Sequence, residues 1–495
     1  MKPRSVLILA LVFTVLIRLT PVIYTGNVFS NDSWILVHVA QYISLNPGSR
    51  VFKLYDSLGY HVYYPCSILE SIVYSYVTGV NLVFFYKFIG APVLSTAMFI
   101  STYVLARRRG FNPYASVASA LAPSLIPSFT LYTSAYLKEF YAHVVFILLV
   151  YIASVFKSMS LKHALILAPL LSVALVLSHP LTSIMSIIIL LGYIYVNISW
   201  FITRREQFKI NTSTLVALVY VASVFTAHSF LVAKGFMVAS TSDILVFSTY
   251  TASFYLAYTL LGSRLTAILA LIATLLSSTV LLKLMTTPIT PIMALFTAPF
   301  VALVFNRRKG SYSSPGFSGL TASVLLTITV AYLYLSTYMV EALSVVHRVL
   351  NYVVYALIPV LAGLTERSKR VSTVLLTLLA TTSVVVTVLT SMGLNPLLFY
   401  WRYTDQDVTT MAFVEQYSTT VVYGDPKYSQ ASRVVTSIPL GFLRDTCGFK
   451  GVFLLSIDNL VYGVPLSPVD FYTLSNTITT CRSSVFTNGK VFTYT

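Results

Sequence analysis

The sequence predicts an all-α polytopic membrane protein of about 13 transmembrane helices with a small extracytoplasmic α/β domain at its C-terminal end. Three observations predict it. The 495-residue chain is 57% hydrophobic and only 9% charged, whereas soluble domains carry about 25% charged residues. Apolar runs of about 20 residues, each long enough to cross a bilayer, recur as far as residue 393. The net charge of +17 falls wholly on residues 1–393, with 25 Lys/Arg and 8 Asp/Glu, while 394–495 carries seven of each. Excess Lys/Arg in short loops between spans marks the cytoplasmic side. The charge therefore reports topology rather than nucleic-acid binding, and hydropathy excludes a soluble enzyme.

Lys2 and Arg4 place the N-terminus inside. The run MKPRSVLILALVFTVLIRLTPVIY is longer than a signal-peptide core and shows no small-residue cleavage site, so 5–23 is expected to stay as a signal-anchor span. Arg18, near its outer end, reads as a snorkelling side chain. The next inner marker, Arg107-Arg108-Arg109, needs only one more span, 82–106. Residues 24–81 are then a long outer loop with amphipathic helices, 33–45 and an interfacial or re-entrant 66–80. Spans 3 and 4 (112–133, 140–156) return the chain to Lys157 and Lys162, and spans 5 and 6 (163–178, 182–203) to Arg204, Arg205 and Lys209. Spans 7 and 8 (213–233, 244–262) lead to Arg264, and spans 9 and 10 (265–284, 288–306) to Arg307, Arg308 and Lys309. Spans 11 and 12 (318–340, 349–365) reach Arg367, Lys369 and Arg370, and span 13 (371–393) exits.

The division is thus a membrane domain, 1–393, and an outer domain, 394–495. In the latter, FYWRYTDQDVTTMAFVEQY reads as a helix after a capping Thr or Asp. TVVYGDPKY and GVFLLSI read as strands, and Asn488-Gly489 supplies the turn of a terminal hairpin. Cys447 and Cys481 fall outside, where a disulfide between them is permitted by compartment.

Acids on the outer side of the membrane domain are few: Asp32, Asp56, Glu70, Glu139, Asp243 and Glu341. An acid at membrane depth is expensive unless it is paired, protonated or open to water. Asp32 in NVFSNDSWILVHVAQYI and Glu139 in TSAYLKEFYAHVVF stand out, because each opens an apolar helix from a separate loop. Two acids facing one cavity suit a divalent cation or a general base. The plainer alternatives are Asp32 as N-cap of 33–45, and Glu139 paired with Lys138 or a headgroup.

In order and membrane side these segments resemble the GT-C superfamily, integral-membrane glycosyltransferases that use polyprenyl-phosphate-linked sugars. They include protein mannosyltransferases and the aminoarabinose transferase of lipid A. NDSWILVHVAQYI looks like the acidic motif that opens the family's large outer loop. HVYYPCSILESIV is similar to its Tyr-Pro-Pro segment, with Cys66 for the second Pro, and YLKEFYAHVVFILLVYI carries an outer acid before the fourth span. LVLSHPLTSIM, with His179-Pro180-Leu181-Thr182, looks like a segment of archaeal multispan proteins of this type. Two departures stand out: Asn31 holds the place of a second carboxylate, and no WWDYG-like motif occurs. The second favours a monosaccharide transferase over an oligosaccharyltransferase.

The resemblance implies a polyprenyl-phosphate sugar as donor and a protein, lipid or glycan acceptor on the outer face of an archaeal or bacterial plasma membrane. Asp32 is the expected base, and Glu139 the residue that orients the acceptor or shares a cation, Mg or Mn, with Asp32. Arg348, with His347 beside it, is the expected phosphate ligand, with Lys138 and Lys53 as alternatives. Arg348 pairing with Glu341 and His179 bonding a freed carbonyl are the plainer readings of those two. His179, Tyr60, Tyr63 and Tyr64 are expected to line the substrate site, or the tyrosines to form an interfacial belt. Two rivals remain open: a transporter or lipid flippase, and a non-catalytic envelope assembly protein on the same scaffold. PSLIPSF and TTPITPIM are the broken-helix hints for the first, yet no internal repeat accompanies them.

Overall fold

Hydrocarbon offers backbone amides no partner, so an apolar run in a bilayer must close its hydrogen bonds within itself, as a helix. The computed structural model of the chain follows that rule. It describes residues 2–47, 59–155, 161–204, 212–233, 242–243, 245–260, 272, 315–337, 348–394, 402–417, 421–424, 427–428, 435–437, 452–456, 484–487 and 491–494.

The first helices are α1 (Pro3–Thr25), α2 (Asn31–Leu45), α3 (Cys66–Thr78) and α4 (Leu82–Arg108). Next come α5 (Pro113–Leu125), α6 (Pro127–Thr133), α7 (Lys138–Val155), α8 (Leu161–Val176), α9 (Pro180–Arg204) and α10 (Thr212–Leu231). Beyond them lie α11 (245–260), α12 (Pro315–Thr337), α13 (Val353–Arg367, led by a turn from Arg348) and α14 (Lys369–Ser391). Among the described residues six helices are long and apolar enough to cross a membrane, or seven if a bent pair is one span. The chain is a multi-pass membrane protein. Apart from residue 272, expected spans 9 and 10 lie outside the described residues, so the expected total of thirteen extends beyond what is described.

α7 occupies the middle of the bundle, packed on α4, α8, α9 and α10, with Phe140, Ala142, Phe146 and Leu149 wholly buried. The basic turns gather at one end: Glu366 accepts from the Asn112 amide at 2.9 Å, and Lys369 lies over the Tyr114 ring. Arg348 is at the opposite end of α13, about 30 Å away at 1.5 Å per residue.

Two readings of the sequence need correction here. Span 3 is not one helix. It breaks at Ile126 into α5 and α6, bent by 74°, because Pro127 has no amide to continue the ladder. Arg18 does not snorkel. It is 1% exposed and turns inward to that break. Its Nε donates to Thr133 Oγ1 (3.1 Å), Nη1 to Ser124 Oγ (2.7 Å) and the Thr14 carbonyl (3.0 Å), and Nη2 to the Pro123 carbonyl (3.1 Å). The break frees acceptors, and the guanidinium fork collects them. Lysine keeps the charge and cannot reach four acceptors with one nitrogen. Arg18→Lys should therefore cost about 2–4 kcal/mol. Thermal unfolding in detergent checks this, and a wild-type midpoint would sink the account.

At the C-terminal end, α15 (Asp405–Tyr417) starts from a reciprocal cap. Asp407 Oδ2 accepts from the Thr404 amide at 2.8 Å, and the Asp407 amide donates to Thr404 Oγ1 at 3.4 Å. Five short strands, β1 (Val422–Gly424), β2 (Val435–Ser437), β3 (Val452–Ser456), β4 (Ser484–Thr487) and β5 (Val491–Tyr494), form one sheet in the order β2-β1-β3-β5-β4. β1 runs parallel to β2 and β3, and β5 antiparallel to β3 and β4. The Asn488-Gly489 turn, Cys447 and Cys481 lie outside the described residues.

Asp407 and Lys427 pair at 3.1 Å, both almost fully buried, and the Tyr428 hydroxyl donates to Asp407 at 2.8 Å. Burial alone would push the Asp407 carboxyl up. The Lys427 charge, then the Thr404 amide and the Tyr428 hydroxyl, outweigh burial and hold it below the ordinary carboxylate value. A carboxyl lower in the folded than in the unfolded chain adds stability that is full above the unfolded value, about 4, and fades as pH falls through the folded value. Protease resistance of the segment after residue 402 should therefore drop below about pH 4. Asp407→Asn should flatten that acid limb, and equal limbs in both proteins would refute the assignment.

Candidate active site

The loop after α6 delivers Lys138 and Glu139 to the first turn of α7, where the helix dipole favours an acid. Glu139 is 1% exposed, and a carboxylate so buried needs partners. Tyr132, one turn back on α6, donates its hydroxyl to Glu139 Oε2 at 2.5 Å. Arg348 Nη1 lies 3.5 Å from the same oxygen, and His179 Nε2 3.7 Å. His143, one turn on along α7, brings Nε2 to 3.7 Å from Oε1 while its Nδ1 meets the Tyr355 hydroxyl at 2.7 Å.

Asp32 comes from the other side. α2 starts at Asn31, and Ser30, at φ +81°, makes no side-chain cap. Asp32 is thus inside the first turn and does not cap 33–45, which corrects that reading. Its Oδ2 receives Arg348 Nη2 at 3.0 Å. One guanidinium therefore joins two carboxylates that are 107 positions apart in sequence. Their exposures differ sharply: the Asp32 side chain is 44% exposed, Arg348 25% and Glu139 1%. The Arg348 fork runs from the mouth of the site to its floor, with the Tyr132 ring 5.8 Å from the guanidinium carbon.

Lys138 does not pair with Glu139. Its Nζ is buried over the Tyr60 ring at 4.2 Å, with Tyr64 at 5.7 Å, and has no hydrogen-bond partner among the described residues. Burial, then the Asp32 charge, pushes the Tyr60 hydroxyl up to about 12. Burial, then the Lys138 charge, pushes His61 down to about 2. Both stay neutral at physiological pH.

The structure brings Asp32, Glu139, Arg348, Lys138, His179 and Tyr64 to one end of the bundle. His179 bonds Thr182 Oγ1 at 3.3 Å and faces Glu139 rather than a freed carbonyl. Tyr63 is buried in a small cluster with Val62, Tyr64 and Ala233, and its carbonyl meets His228 Nε2 at 2.9 Å, so it braces the loop. Glu70 is partly buried and held: the Tyr136 hydroxyl stands 2.7 Å from its Oε2 and 2.9 Å from the Ser67 carbonyl. Gly90 makes room for this, since a Cβ there would stand 2.3 Å from the Tyr136 ring. His347, Lys53, Asp56 and Glu341 lie outside the described residues.

Sequence reasoning missed Tyr132 and His143, while Tyr60 was among the tyrosines expected at the substrate site. His143 was findable, because i and i+4 share a helix face. Tyr132 carried no signal in a chain with 35 tyrosines. A divalent cation between Asp32 and Glu139 does not fit this donor set: a guanidinium already bridges them, and its fixed charge would repel the ion. Among the described residues no group of three or more His, Cys, Asp or Glu is arranged to hold a metal.

No protein-family model matches the chain, and no curated protein matches it. Among solved structures it is similar to ArnT from Cupriavidus metallidurans in the apo state, with a TM-score of 0.40, 11% identity, 98% of this chain and 97% of that one covered. It is also similar to ArnT from the same organism bound to undecaprenyl phosphate, with a TM-score of 0.46, 12% identity and the same coverage of both chains.

Proposed function

We propose that this protein is a membrane glycosyltransferase that moves a sugar from a polyprenyl-phosphate donor to an acceptor hydroxyl at the outer face of the membrane. The observation that carries the reading is the Arg348 fork, shared between an accessible Asp32 at 3.0 Å and a buried Glu139 at 3.5 Å. Exposure assigns the roles. Asp32 meets an incoming hydroxyl, so it is the base. Glu139 is walled in and serves to hold Arg348 and the local field. Lys138 and Arg348 supply positive charge for a phosphate, and Lys138 Nζ has donors to spare among the described residues.

In the step this supports, the acceptor oxygen bonds to C1 of the sugar as the C1–O bond to phosphate breaks. The electron pair leaves on the lipid phosphate, which Arg348 and Lys138 stabilise, and the proton passes to Asp32. A single displacement inverts the configuration at C1. No step needs a metal.

The test is transfer from radiolabelled polyprenyl-phosphate hexoses in membranes containing the protein, compared with membranes lacking it. Label in a new acceptor, with inverted linkage, supports the reading. No transfer from any of several donors would refute it and leave the transporter or the assembly protein ahead.

A further inference from the structure

The base-bearing helix α2 does not hold its own first turn. Ser30 sits in the left-handed region at φ +81° and offers no side-chain cap, an arrangement that persists only when surrounding structure imposes it. That structure is the segment at 403–407. The Tyr403 hydroxyl, wholly buried, bonds the side chain of Asn31, next to Asp32, and donates to the Lys427 carbonyl at 2.6 Å. The edge of the Tyr403 ring meets Trp34 at 5.8 Å, and Lys427 Nζ lies 5.5 Å from its centre. Lys427 is in turn fixed by Asp407 at 3.1 Å. A second tie precedes Asp32: Asn27 Nδ2 donates to Asp405 Oδ1 at 2.9 Å.

We infer that Tyr403 is a positioning residue. Through Asn31 it sets where the Asp32 carboxylate stands relative to Arg348, so that the C-terminal segment is a working part of the site. This explains why 31 is an amide. A single Tyr403 proton cannot be given to both acceptors, but an Asn31 side chain turned to present its NH₂ donates to the Tyr403 oxygen and lets that proton go to Lys427. A carboxylate at 31 has no donor and would add charge beside Asp32. The catalytic consequence rests on the proposed transfer reaction, while the positioning itself does not.

The experiment is a double-mutant cycle of Tyr403→Phe and Asn31→Ala in the full-length protein in nanodiscs. It is read by hydrogen exchange over peptides spanning 27–40 and by kcat and KM for transfer. Both variants keep the Tyr403 ring or the α2 backbone, and Tyr428→Phe, which removes the hydroxyl bond to Asp407 and leaves both Tyr403 bonds in place, controls for general loosening. The expected result is faster exchange in 27–40 for either single variant, no further increase in the double, and little change for Tyr428→Phe. kcat should fall about tenfold in each single variant and no further in the double, with KM for the donor within about twofold. Unchanged exchange in Tyr403→Phe, or additive effects, would overturn the inference. So would altered exchange with kcat unchanged. If the wild type transfers no sugar, the function proposal fails and the exchange cycle alone decides the positioning.

Discussion

Asp32→Asn should lower sugar transfer by about 10²–10⁴-fold while leaving expression and fold intact. The substitution is nearly isosteric, and the Asn oxygen still accepts from Arg348 Nη2. It removes the group that takes the proton in the proposed step. Because the side chain is 44% exposed, little desolvation energy is at stake and stability should move by less than about 1 kcal/mol. Loss of turnover without loss of folding is therefore the signature of a base. The measurement is a single-turnover transfer rate beside a thermal melt. A rate near wild type would reduce Asp32 to an anchor for Arg348 and shift the role of base to Glu139.

Changes at Arg348 should behave differently, because its two partners differ in depth. Arg348→Met strips the guanidinium from a Glu139 that is 1% exposed, and removing one partner of a buried pair costs about 3–5 kcal/mol. Tyr132 softens this through its 2.5 Å bond but carries no charge. Arg348→Lys keeps a charge but not the planar fork, so it cannot hold Asp32 and Glu139 together. We expect the lysine variant to fold, to lose about 10²–10³-fold in transfer, and to bind the donor more weakly. Equal transfer by the lysine variant would show that point charge suffices and that the bridge is incidental.

Much of this arrangement was legible because charge is scarce. Eight acids in residues 1–393 left few candidates, and the cost of an unpaired carboxylate at membrane depth made Asp32 and Glu139 conspicuous. The Thr404-to-Asp407 cap was equally plain, since it is local. Illegible was who pairs with whom. Arg348 lies 316 positions from Asp32 and 209 from Glu139, and no periodicity links such distant positions. The parallel pairing of β1 with β2 and the bond between Tyr403 and Asn31 were hidden for the same reason. Arg18 was misread for a sharper one. A charge in an apolar helix snorkels when its neighbours are lipid and turns inward when a neighbour offers unpaired carbonyls. That choice depends on the break in α5–α6, for which PSLIPSF gave only the prolines.

The same arginine bears on how the chain is made. Arg18 belongs to a helix made well before α5 and α6: Ser124 and Thr133, which receive its protons, are synthesised 106 and 115 residues later. In the interval the guanidinium lacks these partners and has only the Thr14 carbonyl within its own helix, at an insertion cost that reaches about 2.5–3.5 kcal/mol at a helix centre and is smaller nearer the interface. The newborn helix must therefore ride toward the interface and sink or rotate to its final depth once α5 and α6 arrive. For this protein a helix made early settles late, and the polar break in a later hairpin is what completes its insertion.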